Sequence, residues 1–135
     1  MIEFGGENKE CGQNAPCLVE CKEIIKDYPE NGLRIKVEVG GGIVYEIEIS
    51  DYIMHLTRNE SYTSWDDYEV RKGRYFVIFE KSRLIDFYDN VVMHTVDYDW
   101  PGKGVHYEIY TEKLLIDVIT TVPPKIRRVS DNEER

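Results

Sequence analysis

The sequence predicts an α+β domain: an N-terminal amphipathic helix packed on an antiparallel, meander-like curved sheet of six to seven strands. Three observations predict it. Apolar residues at 17, 18, 21, 24, 25 and 28 recur at helical spacing. From residue 33 the pattern changes to period-two alternation, first in "LRIKVEVGGGIVYEIEIS". Short turn segments then separate the strand-like runs, which suits antiparallel neighbours better than parallel ones.

The helix is expected over residues 15–28. Asn14 is placed to cap it, Pro16 is tolerated in its first turn, and Pro29 with "ENG" closes it. Two strands follow around Gly40, Gly41 and Gly42. A three-residue loop pairs Val37 with Tyr45 and Ile35 with Ile47 on one face, and Lys36 with Glu46 and Arg34 with Glu48 on the other. A two-residue loop would oppose apolar and charged positions throughout, so the register is well specified.

"DYIMHL" reads as a further strand and "NESYTS" as a loop. "SWDDYEV" reads as the start of a short helix capped by Ser64. "YFVIF" and "LIDFY" flank a turn near Lys81 and Ser82, which pairs Ile78 with Ile85 and Val77 with Asp86. "VVMHTVDY", residues 91–98, reads as a strand, and "DWPGKG" as a loop. "VHYEIY" and "LLIDVITTV" form a last hairpin with Ile109 opposite Ile116 and Glu108 opposite Asp117, ended by Pro123 and Pro124. "LID" recurs thirty-one residues apart, at 84–86 and 115–117. Two copies are too few for a repeat architecture and read as two similar hairpins. The chain of 135 residues therefore divides into a flexible segment 1–13, a single domain 14–124 and a charged tail 125–135.

Composition narrows the function. Acids outnumber bases 26 to 17, a net charge of −9. That balance argues against direct binding to nucleic acid or to anionic lipid, both of which need basic residues. The first residues have no basic start before an apolar run, and no apolar stretch is long enough to span a bilayer, so a cytoplasmic protein is expected. Cys11, Cys17 and Cys21 are odd in number and lack CxxC spacing, which fits structural thiols better than disulfides or a metal knuckle.

Three sites compete. The first is an acidic aromatic surface, Trp65, Asp66, Asp67 and Tyr68 with Asp97, Tyr98, Asp99 and Trp100. Acids speed encounter with basic partners, and buried Tyr and Trp dominate interfaces. The leading expectation is a non-enzymatic inhibitor or immunity-type protein, of bacterial or viral anti-defence kind. It would occupy the basic surface of a nucleic-acid-binding protein or nuclease, with homo-oligomerisation left open. The second is an aromatic-lined pocket for a nucleotide or metabolite, with Arg58, Arg74, Arg83 and Tyr107 as ligand contacts. The third is a metal-assisted hydrolase. His106, Glu108 and Asp117 share one sheet face if the last hairpin has the register above, with His94 and Asp97 on the preceding strand. No nucleophile motif such as GxSxG and no GxGxxG loop is present, so catalytic residues and cofactors are not expected.

Overall fold

A computed structural model of the chain describes residues 2–8, 19–27, 32–40, 42–62, 65–92 and 104–129. These fold into two antiparallel sheets that share one apolar core. The strands are β1 (Glu20–Asp27), β2 (Gly32–Glu38), β3 (Val44–Ile49), β4 (Tyr52–Asn59), β5 (Val70–Lys72), β6 (Phe76–Lys81), β7 (Val105–Tyr110), β8 (Leu114–Thr120) and β9 (Lys125–Val129). The first sheet has the order β1-β2-β3-β9 and the second β4-β8-β7-β6-β5. One short helix, α1 (Arg83–Phe87), runs into a π-helical turn at Tyr88–Val92.

The fold is thus mostly β, which corrects the expected α+β class. Residues 20–27 of the expected helix form β1, and residues 15–18 lie outside the described ones. The cause of the false periodicity is visible. The β1–β2 register slips between Cys21 and Glu23, so one extra residue bulges out. Cys21 and Ile24, three residues apart, therefore both pack against the core. A bulged strand has produced the spacing of a helix.

The β2–β3 hairpin has the expected register, with Val37 opposite Tyr45 and Ile35 opposite Ile47. Gly40 and Gly42 take φ of 104° and 77° in its loop, conformations that a side chain disfavours. The expected charged tail begins instead as a strand. β9 pairs with β3, and Arg127 lies opposite Glu46 and contacts it at 3.2 Å.

"LIDFY" is helix rather than strand. β6 already pairs with β5 on one edge and β7 on the other, so no edge remains for it. Ser82 ends β6 in an extended conformation, and its Oγ accepts the Ile85 N–H at 3.1 Å as an N-cap. The first two residues of the expected strand at 91–98 belong to the π-helical turn instead, and residues 93–98 lie outside the described ones. The expected short helix at "SWDDYEV" is a turn in which Asp66 Oδ1 accepts the Tyr68 N–H at 3.0 Å, leading into β5. Ser64, its expected cap, is outside the described residues.

Leu33, Ile35, Val37, Ile47 and Ile49 from the first sheet meet Phe76, Ile109, Ile116 and Val118 from the second. The alternate positions of β7 and β8 point the other way. Those positions carry His106, Glu108, Leu115, Asp117 and Ile119, and all five are buried as well. The second sheet is therefore covered on both faces, one by apolar side chains and one by a polar layer.

Residues 2–8, expected to be flexible, are strapped to that sheet. Gly5 N–H bonds Phe76 O at 2.8 Å and Arg74 N–H bonds Gly6 O at 3.0 Å. Asn8, buried and at φ 52°, joins both sides: its Nδ2 donates to Glu3 O at 2.9 Å and to Arg74 O at 3.0 Å, and its Oδ1 accepts the Glu3 N–H at 2.9 Å. Replacing Asn8 by Ala strands these backbone groups. The expected loss is roughly 2 kcal/mol of unfolding free energy, read from the urea midpoint at unchanged slope; an unshifted midpoint would contradict the strap.

Candidate functional site: a buried carboxyl pair beneath two clefts

The ladder fixes the centre of the site. In β7 and β8, Glu108 lies opposite Asp117, as the sequence register requires. Facing carboxylates repel, so the surroundings must answer for both. β4 supplies Arg58. Its Nε donates to Asp117 Oδ2 at 3.1 Å and its Nη2 to Glu108 Oε2 at 2.9 Å. β5 supplies Arg71, whose Nε lies 3.8 Å from Glu108 Oε1. His106 Nε2 is 2.7 Å from Asp117 Oδ1.

The two acids divide their roles. Burial pushes the Glu108 carboxyl up, and the hydrogen bond and charge of Asp117 push it further. Arg71 and Arg58 pull it back only in part, leaving it at about 8. For Asp117, burial also acts upward. Hydrogen bonds to His106 and Glu108, with the charge of Arg58, outweigh it and hold Asp117 below the usual carboxylate range. At neutral pH Glu108 therefore keeps its proton and Asp117 is ionised. Burial opposes the charge on Arg58, but Asp117 and Glu108 overcome it and hold its proton more firmly than usual.

His106 links this pair to the helix. Its Nδ1 is 2.7 Å from Ser82 Oγ, the N-cap of α1, and its ring stacks on Phe79 at 4.1 Å. A hydrogen on Nε2 lets the ring donate to Asp117 while Nδ1 accepts the serine hydroxyl. The Ser-His-Asp series resembles a nucleophile array, but Ser82 is 0% exposed and its Oγ is also bound to the Ile85 N–H. Its work is to seat α1.

Two clefts open above this layer. The larger, about 520 Å³, is lined by Leu56 and Arg58 of β4, Trp65, Asp66 and Glu69 of the turn, Arg83, Leu84 and Phe87 of α1, and His106 and Asp117. The smaller, about 430 Å³, is lined by Trp65, Arg71, Gly73, Arg74, Tyr75, Val77, Glu108 and Tyr110. Trp65 belongs to both and is 74% exposed.

The three sequence-derived sites fare differently. His106, Glu108 and Asp117 do converge, with one potential ligand atom from each within 4.8 Å of the others. A cation entering there would compete with Arg58, which already bridges both carboxyls, and would have to part His106 from Asp117. His94 and Asp97 lie outside the described residues. Of the pocket residues, Arg58 and Arg83 line the larger cleft and Arg74 the smaller, whereas Tyr107 belongs to the opposite face of β7 and packs edge-on against Phe4. The described part of the acidic surface, residues 65–68, is bound to its own chain. Asp66 pairs with Arg83 at 2.6 Å, Asp67 Oδ1 accepts the Trp65 indole N–H at 2.6 Å, and Tyr68 donates to Asp86 beneath Lys81 and Arg83. Asp97, Tyr98, Asp99 and Trp100 lie outside the described residues. Sequence reasoning missed Arg71 and Ser82. The alternation within "VRK" would place Arg71 on one face, but a three-residue strand gives little periodicity to read.

The carboxyl pair makes stability depend on pH. Glu108 sits at about 8 in the fold against an ordinary 4.5. Its contribution is full below the ordinary value and is lost as pH rises through about 8. Asp117, shifted down, acts in the opposite sense, its contribution being lost only as pH falls through its depressed value. Glu108→Gln cannot ionise. Between about pH 5 and pH 9 the wild type should therefore lose on the order of a few kcal/mol relative to this variant, measured by denaturation at each pH. A constant difference across that range would refute the assignment. Compared with known proteins, the chain matches no family model, no curated protein and no solved structure.

Proposed function

We propose that the protein binds a small polar ligand in the two adjoining clefts on the outer face of the second sheet, and does so without covalent chemistry. The observation that carries this reading is Trp65. A large ring, mostly exposed, stands between two concave sites whose shared floor is a buried ionic layer. Phe87 and Tyr110, also among the exposed large apolar side chains, line one cleft each. Both volumes fall in the range of roughly 300–1,000 Å³ typical of small-ligand sites. A carboxyl whose protonation is displaced by burial and a specific neighbour, set under a cleft, is itself a marker of function.

This favours the pocket expectation over the basic-partner one. Acids that are paired within their own chain project a weaker field toward a partner. Among the described acids, Asp66 is held by Arg83, and Glu69 by Arg71 at 3.5 Å and by the Arg83 N–H at 3.1 Å. Glu60 accepts the Tyr110 hydroxyl at 3.0 Å. A cytoplasmic setting is part of the proposal and rests on the cysteine pattern. Among the described residues, no helix is long and apolar enough to cross a membrane.

The test is a thermal-shift screen of metabolites, repeated on Trp65→Ala. A binding ligand at a hundredfold excess over its Kd should stabilise the wild type by about 3 kcal/mol. The variant should lose most of that gain while melting near the wild type, since an exposed ring adds little to the fold. Equal stabilisation of both proteins would remove the clefts from consideration.

A further inference from the structure

The smaller cleft has a polar feature that the fold leaves incomplete. Arg71 Nη1 and Glu108 Oε1 are buried without a hydrogen-bond partner. Their side chains approach at 3.8 Å through Arg71 Nε, an ion-pair distance too long for a hydrogen bond. Glu108 is 1% exposed. A buried donor and a buried acceptor left unmade side by side are costly, and native folds rarely keep them without a reason. Both residues line the same cleft.

Three aromatic residues, Trp65, Tyr75 and Tyr110, line that cleft around them. Tyr75 is held at φ 67°, in a three-residue turn closed by Phe76 N–H to Arg74 O at 2.8 Å. That conformation is strained for a residue with a β-carbon and survives because its surroundings fix it. The Asn8 strap grips Arg74 O, and Tyr110 N–H bonds Tyr75 O at 2.7 Å. Such strain collects at ligand clamps. The local charge is also distinctive. Arg71 and Arg74 line the cleft, and the carboxyl facing them retains its proton near neutral pH. Arg71 is paired with Glu69 at 3.5 Å, so the exposed Arg74 is the cation that this aromatic hollow offers a ligand.

We infer that this cleft binds a mononucleotide. The base lies among Trp65, Tyr75 and Tyr110, presents adjacent acceptor and donor atoms to Arg71 Nη1 and Glu108 Oε1, and leaves the phosphate to the Arg74 guanidinium. Base stacking on aromatic rings tolerates any base, while an edge read by one donor and one acceptor selects among them. A guanidinium at the rim suits a phosphate. Reaching the two unpartnered atoms requires the side chains over them to move. Trp65, whose indole nitrogen among the described residues is tied to Asp67 and whose ring lies 5.3 Å from the Arg71 guanidinium, is placed to swing. The inference rests on the ligand-binding reading above and narrows it to a class.

The experiment is an equilibrium titration with the four ribonucleoside monophosphates, their nucleosides, glucose 6-phosphate and inorganic phosphate. Tryptophan emission is followed in a Trp100→Phe background, so that Trp65 reports alone. At least one monophosphate should bind and change that emission, and its nucleoside should bind about tenfold more weakly. Arg74→Ala, at an exposed side chain, should abolish that difference and leave nucleoside binding in place. Glu108→Gln should alter the ranking of the bases. Failure of all four monophosphates would overturn the inference, as would equal binding of glucose 6-phosphate or inorganic phosphate, or an Arg74→Ala variant with unchanged preference. If some non-nucleotide metabolite stabilises the wild type but not Trp65→Ala while the monophosphates fail, the nucleotide assignment falls and the ligand-binding reading stands. If nothing binds, both fall.

Discussion

Glu108 and Asp117 face each other across the two central strands of the second sheet, and the ladder gives them no freedom to part. Much of the outer face follows from that constraint. Two carboxyls at this separation cannot both ionise in a buried place without cations beside them. The flanking strands deliver the cations, Arg58 from β4 beside β8 and Arg71 from β5, which lies one strand beyond β6. The remaining imbalance is met by a retained proton on Glu108 and by His106 on Asp117. Because His106 also holds the cap of α1, the position of the cleft wall is tied to the same pair.

The second sheet separates its tasks by face. One face of β7 and β8 gives Ile109, Ile116 and Val118 to the core shared with the first sheet. The other holds the ionic layer. Ion pairs of this kind add little net stability, since desolvation offsets attraction. Apolar burial on the core face supplies the favourable free energy that makes the polar face tolerable. Strain gathers where the N-terminal strap meets the turn before β6. Tyr75 and Asn8, the two non-glycine residues at positive φ among those described, are joined there through Arg74, whose carbonyl accepts the Asn8 side chain.

The most legible part of the sequence was strand pairing within short hairpins. Two of the three hairpin registers read from the sequence occur: Val37 opposite Tyr45, which follows from the pairs that would otherwise clash, and Glu108 opposite Asp117, which follows from a short turn that pairs Ile109 with Ile116. The convergence of His106 with the two acids follows from the second register. What misled was periodicity in the presence of a local exception. The bulge at Cys21 imitated a helix, and "LIDFY" alternated well enough for a strand whose edge was already taken. The cations that neutralise the pair come from strands distant in the chain, so no local pattern announces them. Arg58 was named only as a ligand contact, and Arg71 was not named at all. Acids that looked free at 66 and 67 were spoken for by groups at 83 and 65, which no count of charge can show.

The return of β9 to the first sheet has a consequence for how the chain reaches this state. β1 to β3 precede the second sheet in sequence and β9 follows it, while residues 2–8 fasten to β6 and its preceding turn. The second sheet is one continuous stretch of chain, from β4 to β8, whereas the first is not. Closing the first sheet means joining β3 to β9 across the whole of β4 to β8, and the strap spans nearly seventy residues from Gly6 to Arg74. Loop closure of this kind must be met before the contacts it brings can reward it, which makes folding slow and highly cooperative. The two halves should therefore exchange their protected amides together, as one unit, rather than open as separate sheets.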